Sequence, residues 1–250
     1  MEDIKTSQIH YAKHKNHKLL VEVENIINQN FPESSNFYAD LELSEYRLLV
    51  KKTQDILNEK QIVRKIAINI KDDIQNYIEE DKFFIQNNLY LRASRPFIKN
   101  NSENIGWHRE TFYGANMENS INLWTPIMNI NSKNTLRYIP QSQKIPEEEI
   151  KISQTNDEFT KRYSDGHSLG FQYSPKIIVS GVNLEKNEPM NVPQYCTSIF
   201  PGNLIHGAAQ NNHTKIRFST DFRILPFRSH NPDLSKQFHF SSGKPYFEIF

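Results

Sequence analysis

Leu89-Tyr90-Leu91-Arg92-Ala93-Ser94-Arg95-Pro96 lies in the stretch, from Phe83 onward, where the periodicity of the chain changes. Leu89, Leu91 and Ala93 alternate with Tyr90 and Arg92, the period of two that sends successive side chains to opposite faces of a strand. Pro96 closes the run, because it cannot donate to a sheet ladder. Before it, Ile62, Ile66, Ile70, Ile74 and Ile78 recur every four residues with Val63 beside them. That is the stripe of an amphipathic helix whose apolar face packs on a sheet.

Toward the N-terminus, residues 16–30 predict a helix with Leu19, Leu20, Val23, Ile26 and Ile27 on one stripe, ended by Pro32. A second helix covers about 44–57. Residues 1–15 are polar, and His10, His14 and His17 there fit a solvated, frayed end better than a metal site. Toward the C-terminus, strand candidates lie at 105–113, 120–130, 135–139, 177–183, 192–200, 203–209 and 214–225. Short strands separated by Asn, Gly and Pro indicate an antiparallel sandwich or barrel. Helices first and strands after predict a mainly β jelly roll with flanking N-terminal helices packed on one outer face. Residues 141–175 interrupt the strand series with Glu147-Glu148-Glu149 and Ser164-Asp165-Gly166-His167. This is either a lid or substrate loop at a barrel mouth or a solvated excursion. His167 is the candidate substrate contact within it. The expected organisation is a single domain over 1–250: mainly helical support in 1–82, jelly-roll core in 83–225 and a C-terminal extension in 226–250.

Composition sets bounds. A chain of 250 residues can bury a substantial core, and 16 Phe and 11 Tyr supply large apolar areas. A net charge of +1 with no basic block gives no reason to expect a nucleic-acid partner. No apolar run approaches the ~18 residues of a membrane span, and the N-terminus lacks a signal-peptide core. Cys196 is the sole cysteine, which excludes an intrachain disulfide and a thiolate metal cluster and fits the cytoplasm.

The candidate chemistry sits in Trp107-His108-Arg109-Glu110-Thr111-Phe112-Tyr113. Read as a strand, it projects His108 and Glu110 to one face, roughly 6–7 Å apart at the backbone, so both can reach one metal ion. A neutral nitrogen and an anionic oxygen are two thirds of a 2-His-1-carboxylate site. The motif alone is weak, since chance supplies about one His-x-Asp/Glu in a chain of this composition. A second segment strengthens it. After the Pro201-Gly202 turn, Asn203-Leu204-Ile205-His206 begins another strand. Asn211-Asn212-His213-Thr214 is a hairpin turn, and the next strand carries Arg217, Ser219, Asp221 and Arg223 on one face. Folding that hairpin makes His206 and Arg217 cross-strand neighbours.

Taken together, these segments resemble the Fe(II)/2-oxoglutarate oxygenases, in particular the phytanoyl-CoA-dioxygenase-like branch, over about residues 85–225. His108 and Glu110 stand at the family's His-x-Asp/Glu and His206 at its distal histidine. Arg217 follows His206 after ten residues, as the family's co-substrate arginine does, and Ser219 completes an Arg-x-Ser pair. Leu136-Arg137-Tyr138-Ile139-Pro140-Gln141-Ser142 resembles a segment that often ends Pro-Gly-Ser-His, altered here to Pro-Gln-Ser-Gln. The carboxylate is Glu where the family more often has Asp. The resemblance implies a double-stranded β-helix of the cupin or jelly-roll kind. It also implies Fe(II) on His108, Glu110 and His206, with 2-oxoglutarate and O2 as co-substrates. Arginine suits the far carboxylate of 2-oxoglutarate because its planar fork binds a carboxylate through two hydrogen bonds. Ser219 can add another, and Asn122 is a further candidate for the co-substrate.

Arg92, Arg95, Trp124 and His167 are candidates for the substrate. The plainer alternatives are core packing for Asn122 and Trp124, a solvated face for Arg92 and Arg95, and a surface ion pair with Asp221 or a neighbouring acid for Arg217. The reaction expected is hydroxylation of a small polar metabolite such as a sugar, nucleotide sugar, amino acid or natural-product intermediate. Two other functions compete: a cupin-type metal-dependent isomerase or epimerase, and a non-catalytic jelly-roll module that binds a ligand.

Overall fold

The structure, a computed structural model, describes residues 9–31, 38, 40–97, 105–114, 117–154, 176–229 and 245–250. Among the described residues, the helices α1 Lys18–Asn30, α2 Leu43–Glu59, α3 Ile62–Asn69 and α4 Lys71–Ile78 precede most of the strands. The buried face of α1 is the stripe of Leu19, Leu20, Val23, Ile26 and Ile27. The expected single helix over 62–78 is broken at Ile70, which sits at φ −122° and ψ 24°. The isoleucine spacing explains the break. At about 100° per residue, sixteen residues of straight helix would leave Ile78 about 160° round from Ile62. Breaking the helix at Ile70 resets the face, and all five isoleucines are fully buried.

The strands are β1 His10–Lys13, β2 Phe83–Gln86, β3 Tyr90–Ser94, β4 Ile121–Met128, β5 Leu136–Tyr138, β6 Lys151–Gln154, β7 Lys176–Ser180, β8 Glu188–Pro189, β9 Cys196–Pro201, β10 His206–Ala208, β11 Arg217–Pro226 and β12 Phe247–Ile249. They form an antiparallel jelly roll. A seven-stranded sheet runs β1-β9-β4-β11-β2-β12, and β3 shares with β2 the edge of β11 opposite β4. A smaller sheet runs β10-β5-β8, and β6 with β7 makes a separate ribbon. Among the described residues no helix is long and apolar enough to cross a membrane.

Strand alternation divides the large sheet into two working faces. Leu91 and Ala93 of β3, Ile121 and Leu123 of β4, Ile199 of β9, and Phe218, Phe222 and Ile224 of β11 join the helices in one apolar core. The intervening residues Arg92, Ser94, Asn122, Trp124, Phe200, Arg217, Asp221 and Arg223 line a pocket between the large and small sheets. The helices cover one face, so polar chemistry is confined to the other.

Several expectations need correction. Residues 10–13 are not a frayed end: β1 pairs with β9 from His10↔Ile199 to Lys13↔Cys196 and buries Ala12 completely. Without it, β9 would be an open edge. Residues 105–113 are not a strand. His108 makes one isolated bridge to His206, and Glu110–Tyr113 then closes into a 3-10 turn. The backbone N–H of Glu110 goes to the Gly202 carbonyl and that of Phe112 to Arg109, so no ladder continues. The interruption at 141–175 contains structure, because β6 and β7 pair from Lys151↔Ser180 to Gln154↔Lys176. His167 lies outside the described residues. The segment read as an extension ends in β12, whose Phe247 pairs with Gln86 of β2.

Candidate active site

The site is built around one backbone bridge. His108 and His206 exchange N–H···O=C bonds of 3.0 Å in both directions, which sets their rings side by side with centroids 4.3 Å apart. Each ring is turned by the same local device. His108 Nδ1 lies 2.8 Å from the Gly106 carbonyl, and His206 Nδ1 lies 2.9 Å from that of Leu204, in both cases two residues upstream. A carbonyl only accepts, so Nδ1 carries the proton and the Nε2 lone pair faces inward. Burial holds both imidazoles below their ordinary pKa. His108 is lowered further by its neighbour His206, whereas Glu110 partly offsets the shift of His206. Both rings are thus in the neutral, metal-binding form.

Glu110 is fully buried, with Oε1 3.8 Å from His108 Nε2 and 3.7 Å from His206 Nε2. The three candidate ligand atoms all lie within 4.8 Å of one another. Ligands at right angles about 2.1 Å from one ion stand about 3 Å apart, so each Glu110–histidine separation is within an ångström of a coordinating one. Gly202 fixes the carboxylate from behind. Its carbonyl accepts from Glu110 N at 2.7 Å and its N–H donates to Ser120 O at 2.7 Å. A Cβ there would stand 2.2 Å from Ser120 Oγ and 3.2 Å from Glu110 Cβ. Arg109, between the two motif residues, points the other way and donates to the carbonyls of Ser142 and Ile145.

A chain of charges backs the carboxylate. Arg223 grips Glu110 with both arms of its fork, Nε to Oε2 at 2.8 Å and Nη2 to Oε1 at 3.0 Å. Asp221 pairs with Arg92 through both oxygens, one at 2.9 Å, and lies 3.4 Å from Arg223 Nη1. The carboxyl of Asp221 is held below the usual range, because the two guanidinium groups outweigh the opposing effect of burial. Among the described residues, Arg223 and Arg92 of this pocket thus meet Glu110 and Asp221, whereas Arg217 meets no carboxylate.

The phytanoyl-CoA dioxygenase (PhyH) profile matches residues 16–219 of the chain. The chain belongs to the phytanoyl-CoA dioxygenase family. It is accordingly a non-heme iron oxygenase that uses 2-oxoglutarate and O2, and the donor set at 108, 110 and 206 has the chemistry this iron requires. The solved structures that share the fold include EvdO2, SnoN and ThoJ. EvdO2 from Micromonospora carbonacea var. aurantiaca complexed with 2-oxoglutarate has a TM-score of 0.55 at 11% identity, over 90% of this chain and 89% of that one. The epimerase SnoN, in complex with Fe3+, alpha-ketoglutarate and nogalamycin RO, has 0.53 at 9%, over 98% and 94%. The non-heme monooxygenase ThoJ in its apo form has 0.52 at 11%, over 90% and 76%. Among curated proteins no sequence matches significantly.

In this family member Arg217 is buried rather than exposed, and its partner is not Asp221. Nη1 donates to the Asn134 carbonyl at 2.7 Å and Nη2 to Ser94 Oγ at 2.9 Å, while Nε is buried with no partner. Burial, with Arg92 nearby, lowers its pKa to about 10. Arg217 and His206 are not cross-strand neighbours as expected: β10 pairs with β5 and β11 with β3 and β4, so the 209–216 connection crosses between sheets. Both still line the same pocket. Ser219 Oγ accepts from Trp124 Nε1 at 3.1 Å, which leaves its own proton free to be donated. Asn122 Nδ2 is buried in the pocket wall without a partner.

Of the expected substrate contacts, Trp124 and Arg92 line the pocket, although the charge of Arg92 is already met by Asp221. Arg95 does not. Its guanidinium turns toward the helices, donates to the Tyr38 and Leu41 carbonyls and stacks over Tyr46. The physical reason is the strand period: Arg95 shares the parity of Leu91 and Ala93, which face the helical layer, whereas Arg92 and Ser94 face the pocket. His10, His14 and His17 do not gather; His10 meets Asp73, His14 meets Thr197 and His17 packs on Tyr195. Sequence reading missed the role of Arg223. The period of β11 places it on the right face, but nothing in the sequence says that it faces Glu110.

Proposed function

We propose that His108, Glu110 and His206 hold iron(II), and that Arg217 receives the far carboxylate of 2-oxoglutarate with help from Ser219 and Asn122. The substrate proposed is a small polar metabolite that undergoes C–H hydroxylation. The observation that carries this reading is the buried, unpaired Nε of Arg217 in the pocket lined by His108 and His206, on which Glu110 converges. An arginine buried without an anion is costly, and a dicarboxylic acid relieves that cost. Bound iron would supply activation of O2 coupled to conversion of 2-oxoglutarate to succinate and CO2, with the second oxygen atom going to the substrate.

The chain's own groups do the rest. The Nδ1–carbonyl bonds keep both imidazoles turned inward, so the site is preorganised before any ligand enters. Trp124, Phe200 and Leu136 give the pocket an apolar wall. The ion pair of Arg92 with Asp221, together with Ser94 and Asn122, makes the rest of the wall polar. A sugar, nucleotide sugar, amino acid or natural-product intermediate suits such a wall better than a fatty chain, which would desolvate these groups without pairing them.

The test is succinate release from 2-oxoglutarate by the pure protein with Fe(II), ascorbate and air. Turnover should fall at least a hundredfold in His108→Ala, Glu110→Ala and His206→Ala. Activity on any substrate that persists without O2 and without 2-oxoglutarate would contradict the reading.

A further inference from the structure

We infer that Arg223 is a positioning residue that restricts Glu110 to one coordinating oxygen, keeping a neighbouring position on the metal open for the 2-oxo acid. The inference rests on the triad reading above. Glutamate reaches further than aspartate and has one more torsion, so an unrestrained Glu110 can swing both oxygens onto an ion. That would matter because an octahedral ion has six positions. Three protein atoms leave three, enough for a chelating 2-oxo acid and O2. A two-oxygen Glu110 would leave two, and the set could not be completed.

The geometry opposes that swing. Oε2 is taken by Arg223 Nε at 2.8 Å, while Oε1 is the oxygen that faces both imidazole Nε2 atoms. Arg223 Nη2 also reaches Oε1, at 3.0 Å, but a carboxylate oxygen has a second lone pair to offer. The clamp is itself immobilised. Gln86 Oε1 accepts the Arg223 backbone N–H at 3.0 Å, and the guanidinium lies over the Tyr90 ring at 5.4 Å. Tyr90 Oη meets Tyr246 Oη at 2.7 Å, and Gln86 Nε2 donates to the same Tyr246 hydroxyl at 3.1 Å. A cation alone would neutralise Glu110; holding both oxygens in a fixed plane needs the guanidinium fork.

Mn(II) is the probe, with its bound waters counted from the broadening of its paramagnetic resonance in 17O-enriched water. The parent protein should show three exchangeable waters. Arg223→Lys keeps the buried charge but loses the fork. It should show two waters, bind Mn(II) at least as tightly, and bind 2-oxoglutarate to the Mn(II) form at least tenfold more weakly. In turnover its KM for 2-oxoglutarate should rise more than its kcat falls. Two waters in the parent would overturn the inference, and that count needs no variant to fold. A folded Arg223→Lys with unchanged water count and 2-oxoglutarate affinity would also overturn it, as would loss of Mn(II) binding. Failure of the parent to bind Mn(II) at all would instead sink the triad reading beneath it.

Discussion

Arg217 carries the sharpest expectation at the level of single residues. Nη1 and Nη2 are already engaged by Asn134 and Ser94, so the Nε–H and the charge are what an incoming carboxylate meets. Arg217→Lys offers a point charge without the planar array, and the KM for 2-oxoglutarate should rise about tenfold or more, by titration of succinate release. Gln141 makes a different prediction. It sits at φ 63°, a left-handed conformation that favours glycine, where the family segment often has Gly. Its side chain is exposed, so Gln141→Gly loses no packing and should stabilise the protein by up to about 1 kcal/mol in urea titrations. A lower midpoint would contradict this. The His-x-Glu motif and the distal histidine were legible because two residues of spacing, or a Pro-Gly turn before a strand, leave a local trace. The grip of Arg223 was not, because it reaches a residue 113 positions away; the side taken by Arg95 was, since the period of two sets it with Leu91 and Ala93 toward the helices.

Among the elements, the paired helices α3 and α4 show what a sequence period fixes and what it leaves open. The four-residue repeat identified the buried face correctly, but five isoleucines on one face are incompatible with one straight helix, and the break at Ile70 follows. Ile74→Ala should cost about 2–5 kcal/mol in chemical unfolding, whereas Ile68→Ala, at a position 63% exposed, should stay within about 0.5 kcal/mol. The N-terminal strand β1 was illegible because its polar residues face water and only Ala12, followed by His14 just past the strand end, goes inward. His14 gives the element a pH signature. It meets Thr197 at 2.8 Å, and burial lowers its pKa from 6.5 to about 4. Between those values the unfolded chain takes up a proton that the native imidazole refuses, so stability is lost as the pH falls through that window. The share of His14 is on the order of 3 kcal/mol. His108 and His206 shift the same way, so His14→Gln compared with the parent from pH 6.5 to 4 isolates it; an unchanged slope would contradict the assignment.

For the whole molecule, the site joins parts that the sequence presents far apart. His206 belongs to the small sheet, His108 and Glu110 to the segment bridging it, and Arg223 and Arg217 to the large sheet. The jelly-roll class was readable from helices followed by short strands. The crossing of residues 209–216 from one sheet to the other was not, since a hairpin turn and a sheet-to-sheet crossing begin with the same turn residues. A ligand held by all these parts stabilises the fold as a unit: Mn(II) at about a hundred times its Kd should add about 2.7 kcal/mol. Scanning calorimetry should show a raised Tm in the parent and no rise in His206→Ala.

The most direct test of the central claim is an anomalous-scattering map from crystals grown with Mn(II) and 2-oxoglutarate. One peak is expected within about 2.1 Å of His108 Nε2, His206 Nε2 and a Glu110 oxygen, with the far carboxylate of 2-oxoglutarate on Arg217. A peak elsewhere, or a 2-oxoglutarate carboxylate that leaves Arg217 untouched, would contradict it.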